Sequence, residues 1–129
     1  MNLLEFPADI VTLIEQSKVG VIKADVLAFQ KQTRLTNEQL ARFLHINVRI
    51  WQGYAPEDIL KPAVSERVLA VAQLFAKGIE FIGAEKFLRW MRRPNRALGD
   101  KVPMELLDTQ FGIQLLADEL GRIEHGVLA

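Results

Sequence analysis

Four arginines lie close together about two thirds of the way along this sequence: Arg89, Arg92, Arg93 and Arg96. A guanidinium group binds phosphate and carboxylate groups through paired, charge-assisted hydrogen bonds, so such a cluster can bind nucleic-acid phosphates or an acidic protein surface. A charge run of this length is equally typical of a solvated helix face that binds only water. The cluster is therefore a candidate basic patch, with the solvated face as the alternative.

The residue types needed for catalysis are not placed where they could cooperate. The sequence has no cysteine, and its two histidines, His45 and His125, are too far apart to form a metal-binding pair on one helix. The segment Leu98-Gly99-Asp100 contains a single glycine and is not a phosphate-binding loop, and the adjacent acids Asp118 and Glu119 point to different sides of a helix. We therefore predict no catalytic residue, no cofactor and no metal site, and we expect that the protein is not an enzyme.

The composition is that of a folded protein about one domain in size, with 129 residues of which half are hydrophobic and a quarter charged. The 16 basic and 16 acidic residues cancel, which argues against nucleic-acid binding through bulk charge. Residues 63–98 carry seven basic and three acidic side chains, whereas residues 99–129 carry two and six, which suggests two faces with different roles. No apolar run approaches the ~20 residues of a membrane span, and the N-terminus lacks a signal-peptide pattern, so we expect a cytoplasmic protein.

Helical spacing of apolar residues along the whole chain predicts an all-α fold of seven or eight helices. We expect three parts: an N-terminal helical region with a helix-turn-helix over 1–62, a long linking helix over 63–83, and a small helical domain over 84–129. In the last part, one helix must end at Pro94, Asn95 hydrogen-bonds loop backbone, Pro103 begins a short helix and Thr109 caps the final one. After that helix, the apolar residues 127–129 are costly to leave in water unless something covers them.

The predicted helix-turn-helix begins at Thr36, which forms a capping box with Gln39, and turns at His45. Asn47 caps the second helix, whose outward residues are the candidate DNA-binding residues Arg49, Gln52 and Tyr54. This surface is poor in basic residues, and the acids that follow at positions 57 and 58 would repel phosphate. The alternative is that the two helices serve only as a scaffold.

A series of C-terminal positions resembles the toxin-binding domain of the Xre/MbcA/ParS family of antitoxins. The matching residues are Leu88, Trp90, Pro94, Asn95, Leu98, Gly99, Pro103, Leu106, Leu107, Thr109, Gly112, Leu120, Arg122, Ile123, His125 and Gly126. The resemblance covers roughly the last 45 residues closely and also extends, more loosely, to the helix-turn-helix of the Xre type.

This resemblance implies the antitoxin of a type II toxin–antitoxin pair, whose partner is a toxin with a RES domain that consumes NAD or uses it to ADP-ribosylate a target. It implies that the C-terminal segment, made of Glu124, His125, Gly126, Val127, Leu128 and Ala129, covers the toxin's active site. It also implies a homodimer formed through the N-terminal half, within a hetero-oligomer, and binding to operator DNA that represses the operon. The alternative function is a stand-alone transcriptional regulator with a helix-turn-helix.

Overall fold

The computed structural model describes residues 1–6, 9–124 and 126, and these residues form helices joined by short loops. The prediction of an all-α fold is confirmed, because the described residues contain no strand and form only two isolated β-bridges. The α-helices are α1 (Ile10–Val19), α2 (Lys23–Thr33), α3 (Asn37–Leu44), α4 (Val48–Gly53), α5 (Pro62–Ile82), α6 (Ala84–Arg92) and α7 (Gln110–Glu124). Three 3-10 helices accompany them, at Leu3–Glu5, Arg96–Leu98 and Pro103–Leu106.

The chain divides into two compact units, Met1–Gln73 and Leu74–Ala129, and α5 contributes residues to both. In the N-terminal unit, α2 and the loop after α4 are joined by backbone hydrogen bonds. The amide of Lys23 donates to the carbonyl of Asp58 at 3.0 Å, and the amide of Leu60 donates to the carbonyl of Val21 at 2.8 Å. Ser65 is fully buried and accepts from the amide of Val21, so the start of α5 is tied to the same segment.

Helices α3 and α4 form the predicted pair of short helices separated by a tight turn. The capping box is present, with the Thr36 hydroxyl accepting from the Gln39 amide at 3.0 Å and the Gln39 side chain accepting from the Thr36 amide at 2.9 Å. His45 takes the left-handed conformation with φ of 60°, and the Asn47 side chain caps α4 by accepting from the amide of Ile50. This local geometry is consistent with a helix-turn-helix.

A buried lysine holds the C-terminal end of α4. The ammonium group of Lys23, only 7% exposed, donates to the backbone carbonyls of Trp51 at 2.8 Å and Tyr54 at 2.6 Å, and it lies 4.8 Å from the centre of the Trp51 ring. The last carbonyls of a helix have no partner within the helix and carry partial negative charge, so a cation satisfies them well. A helix of only six residues is unstable by itself, so this contact from α2 helps to stabilise α4.

The C-terminal unit packs the end of α5, α6, the 3-10 helix Pro103–Leu106 and α7 around a small apolar core. Phe75 and Phe87 form an edge-to-face pair with ring centres 5.1 Å apart, and both are fully buried. Gly78 of α5 faces the Phe87 ring so closely that a Cβ at position 78 would lie 2.1 Å from it. The predicted cap of α7 is confirmed, because the Thr109 hydroxyl accepts from the amide of Gly112 at 2.9 Å.

Candidate binding groove of the C-terminal unit

The C-terminal unit contains an open groove of about 550 Å³ between α6, the loop after it and the last turns of α5 and α7. Its described lining residues combine basic and apolar side chains with one asparagine, and none of them is acidic. The lining residues are Ile82, Lys86, Arg89, Trp90, Arg93, Pro94, Asn95, Arg96 and Ile123. All of them belong to one compact unit, so the groove is a property of that unit alone.

Four basic side chains give the groove its charge. Lys86, Arg89 and Arg93 recur at three- and four-residue spacing, which places them on one side of α6 and its C-cap, and Arg96 follows in the next loop. All four are exposed, and within the described residues none of them forms a hydrogen bond or an ion pair. Their charges are therefore available to a ligand that approaches the groove.

The predicted basic patch and the observed groove overlap but are not identical. Arg89, Arg93 and Arg96 line the groove, whereas Arg92 is exposed but does not contribute to the lining. Lys86 is not among the four arginines of the predicted patch, although its spacing from Arg89 and Arg93 places it on their side of α6. Helical periodicity could have found Lys86.

Apolar side chains form the floor of the groove, and Trp90 is the largest of them. Its indole stacks on the buried Phe87 ring with centres 6.1 Å apart and planes inclined by 22°, and the residue remains half-buried. Phe87 in turn contacts Phe75, so the indole packs on a buried aromatic pair. Ile82, Pro94 and Ile123 complete this surface.

The loop 94–101 places Arg96 at the rim. Pro94 ends α6, as predicted, since α6 extends no further than Arg92. The prediction that Asn95 bonds loop backbone is confirmed: its amide donates to the Lys101 carbonyl at 3.0 Å, and its side chain accepts from the Ala97 amide at 2.9 Å. Gly99 closes the loop with φ of 66°, a conformation that favours glycine.

The candidate DNA-binding residues of α4 lie in the N-terminal unit. Arg49 and Gln52 are exposed, whereas Tyr54 is half-buried and its carbonyl accepts from the ammonium of Lys23. Glu57 and Asp58 are exposed in the following loop, so one arginine stands close in sequence to two carboxylates. Arg49, Gln52 and Tyr54 stay predictions as DNA-binding residues.

The predicted toxin-binding segment lies mostly outside the described residues. Glu124 ends α7 and Gly126 follows with φ of 68°, its amide donating to the Ile123 carbonyl at 3.2 Å. His125, Val127, Leu128 and Ala129 are outside the described residues. Ahead of this segment, buried Glu119 pairs with Arg122, whereas Asp118 is exposed, so the two acids do point to different sides of α7.

No helix in the described part of the chain is both long enough and apolar enough to span a membrane. The described residues form an all-α protein whose C-terminal unit carries a groove lined by basic and apolar side chains. Residues 78–126, which include most of that unit, match the family model described as the Antitoxin Xre/MbcA/ParS C-terminal toxin-binding domain. This stretch of the chain is therefore similar to the C-terminal toxin-binding domain of those antitoxins.

Three curated relatives are similar to this chain. The chain is 33% identical over 70 residues to an Antitoxin Xre of Yersinia enterocolitica, which is 53% of this chain and 47% of the relative. It is 31% identical over 67 residues to an Antitoxin Xre of Photorhabdus laumondii, covering 50% and 45% of the two chains. A Prs ADP-ribosylating antitoxin of Sphingobium is 28% identical over 128 residues, which cover 87% of this chain and 80% of the relative. The matched stretch thus spans about half the length of the two Xre relatives.

Proposed function

We propose that this protein neutralises the toxin of a type II toxin–antitoxin pair by binding it through the C-terminal unit. The observation that carries the proposal is that the groove lies entirely within the stretch that matches a toxin-binding domain, residues 78–126. Inhibition by binding is steric and needs no chemical group from the antitoxin. The protein then acts in the cytoplasm and as a binding protein, not as an enzyme.

The toxin that we propose has a RES domain and consumes NAD or uses it for ADP-ribosylation. The name of the Sphingobium relative supports this choice, because it joins the word antitoxin to ADP-ribosylation, a reaction whose donor is NAD. In our proposal, the segment from Glu124 to Ala129 covers the toxin's active site. Since Ile123 lines the groove, this segment continues directly from a residue of the binding surface.

The proposal is tested by expressing this chain together with the product of the adjacent reading frame. Affinity purification should yield a stable complex that does not consume NAD, and NAD consumption should begin when the antitoxin is removed by denaturation and the toxin is refolded. A refolded partner that leaves NAD intact would contradict the RES assignment. If no complex formed, the antitoxin function itself would be contradicted, and a stand-alone regulator would replace it.

We further propose that the N-terminal unit forms a homodimer through α1. None of the ten residues of this helix is buried, and Ile10, Val11 and Ile14 are 66%, 56% and 46% exposed on one side of it. The helix is well formed nevertheless: Asp9 caps it, and hydrogen bonds from the Thr12 side chain and amide hold the pKa of Asp9 below its usual value. Neighbouring exposed apolar side chains of this size mark a protein-binding surface.

Replacing Ile14 with lysine is expected to shift the protein from dimer to monomer, because a charge in an apolar contact between two copies loses its hydration. The matched control is Val19→Lys, which adds the same charge at a position 71% exposed and turned away from Ile14 on the helix. Light scattering after size-exclusion chromatography measures the mass of each variant. A dimer that survives Ile14→Lys would contradict an interface at α1.

Operator binding is proposed as a second activity, carried by α3 and α4, in support of autorepression. Charge reversal by Arg49→Glu should abolish binding to operator DNA, since Arg49 is an exposed cation on the proposed recognition helix. Lys77→Glu on α5 changes the net charge equally, lies in the C-terminal unit outside the groove lining, and should bind nearly as well. Gel-shift titration with the DNA upstream of the gene measures the affinity of both variants.

Unchanged binding by Arg49→Glu would assign DNA contact to another surface. Steep salt-dependent binding without any toxin would favour the stand-alone regulator.

A further inference from the structure

The groove has the charge and the apolar floor of a site for a particular kind of peptide. We infer that it binds an acidic segment of the toxin, in which carboxylate side chains flank an apolar side chain. This inference rests on the proposed function, and it adds the chemistry of the toxin segment that docks on the antitoxin. It also separates two roles within the antitoxin: the groove binds the toxin, and the residues that follow Ile123 block the active site.

The charge of the groove selects an anionic ligand. Lys86, Arg89, Arg93 and Arg96 line one groove, and none of the described lining residues is acidic, so a bound anion would relieve their mutual repulsion. Three of the four cations are arginines, whose planar donors match a carboxylate with two parallel hydrogen bonds. The rest of the unit favours binding at this place, since residues 99–129 carry six acidic and only two basic side chains. An acidic segment is therefore repelled from much of that unit and attracted to the groove.

The floor of the groove favours a peptide over a nucleic acid. Among the apolar lining residues only Trp90 has an aromatic ring on which a base could stack, and the side chains of Ile82, Pro94 and Ile123 cannot hydrogen-bond to a base. An aliphatic or aromatic side chain entering between the basic residues would cover this apolar surface. Tryptophan and arginine are also the residue types that most often dominate the binding energy of protein interfaces, and Trp90 is already held in place by Phe87.

The position of Ile123 explains how docking and blocking can be adjacent and still separable. Ile123 belongs to the groove lining, and Glu124 is the next residue. A toxin segment seated in the groove therefore lies beside the point where the proposed blocking segment begins. The groove side chains come from 82–96 and 123, so none of them is removed when the chain is shortened after Ile123.

The test compares Arg89→Glu/Arg93→Glu with a control, Lys77→Glu/Lys101→Glu. Both double variants change the net charge equally, and Lys77 and Lys101 are exposed in the same unit but do not line the groove. Affinity for the immobilised product of the adjacent reading frame is measured over a series of salt concentrations, after circular dichroism has shown that each variant is folded. We expect the groove variant to bind on the order of 100-fold more weakly, and the control to bind within a fewfold of the wild-type chain. The wild-type affinity should fall as salt rises, and that of the groove variant should change little.

A folded groove variant that binds as tightly as the control would overturn the inference and leave the antitoxin function intact. If the groove variant lost binding to operator DNA but kept its toxin complex, the groove would be a nucleic-acid site and the inference would again be wrong. A wild-type chain that forms no toxin complex would overturn the inference together with the proposed function. Weak binding by the groove variant, combined with normal binding by a chain shortened after Ile123, would establish the division between docking and blocking.

Discussion

A chain that ends at Ile123 is expected to remain folded and to bind the proposed toxin, but to leave the toxin able to consume NAD. The truncation removes six residues, Glu124 to Ala129, which we propose cover the active site. The fold should survive because α7 is anchored through Ile113, Leu116 and Leu120, all buried and all earlier in the helix. The complex, purified by co-expression, should consume NAD at a rate close to that of the toxin alone.

The control for this truncation replaces residues 124–129 with six glycine and serine residues, which restores the length but not the side chains. If blocking depends on particular side chains, this chain should release the toxin as fully as the truncation does. If bulk alone is enough, it should inhibit like the wild-type chain. Full inhibition by the truncated chain would refute blocking by this segment, whatever the result for the groove.

The second large effect is expected from Gly112→Ala at the start of α7. A Cβ at position 112 would lie 1.8 Å from the carbonyl oxygen of Leu106, far inside van der Waals contact. The clashing atom is backbone at the end of the helix Pro103–Leu106, so a side-chain rotation cannot relieve the contact. We expect the variant to lower the free energy of unfolding of the C-terminal unit by about 3 kcal/mol or more, as severe overpacking does. Toxin binding should fall with it, because α7 supplies Ile123 to the groove.

Gly121→Ala provides the matched control on the same helix. Nothing lies within 4 Å of a Cβ built at position 121, so alanine should fit and stabilise the helix by about 0.5–1 kcal/mol. Urea unfolding followed by circular dichroism measures both variants. Equal stability of Gly112→Ala and Gly121→Ala would mean that α7 does not approach Leu106 as closely as the structure shows.

The features that the sequence predicted well are those fixed by neighbouring residues. The capping box of Thr36 and Gln39, the end of α6 before Pro94 and the Thr109 cap of α7 each depend on hydrogen bonds or steric limits within a few residues. The left-handed turn at His45 is similarly local. Such interactions can be predicted from spacing because little else in the chain competes with them.

The features that cannot be predicted from the sequence depend on contacts between distant residues. Lysine is usually exposed, and only the fold shows that the ammonium of Lys23 is buried against carbonyls 28 and 31 positions away. Gly112 is one of the residues that carry the family resemblance, but its closeness to Leu106 is visible only in three dimensions. The basic patch was found from its arginines, whereas its floor required Ile82 and Ile123, which are 41 positions apart, to meet. Secondary structure and charge were thus predictable, and the shape of the groove was not.

The unpaired charges of the groove also affect how quickly a complex forms. A cluster of like charges with no opposing charge among its described lining residues attracts an oppositely charged surface before contact, over distances of about 10 Å at moderate ionic strength. Such attraction raises association rate constants from roughly 10⁵–10⁶ to as much as about 10⁸–10⁹ M⁻¹s⁻¹. We therefore expect the proposed toxin complex to form faster at low than at high ionic strength, because salt screens this attraction. On this proposal, the four cations raise the rate at which the complex forms as well as its affinity.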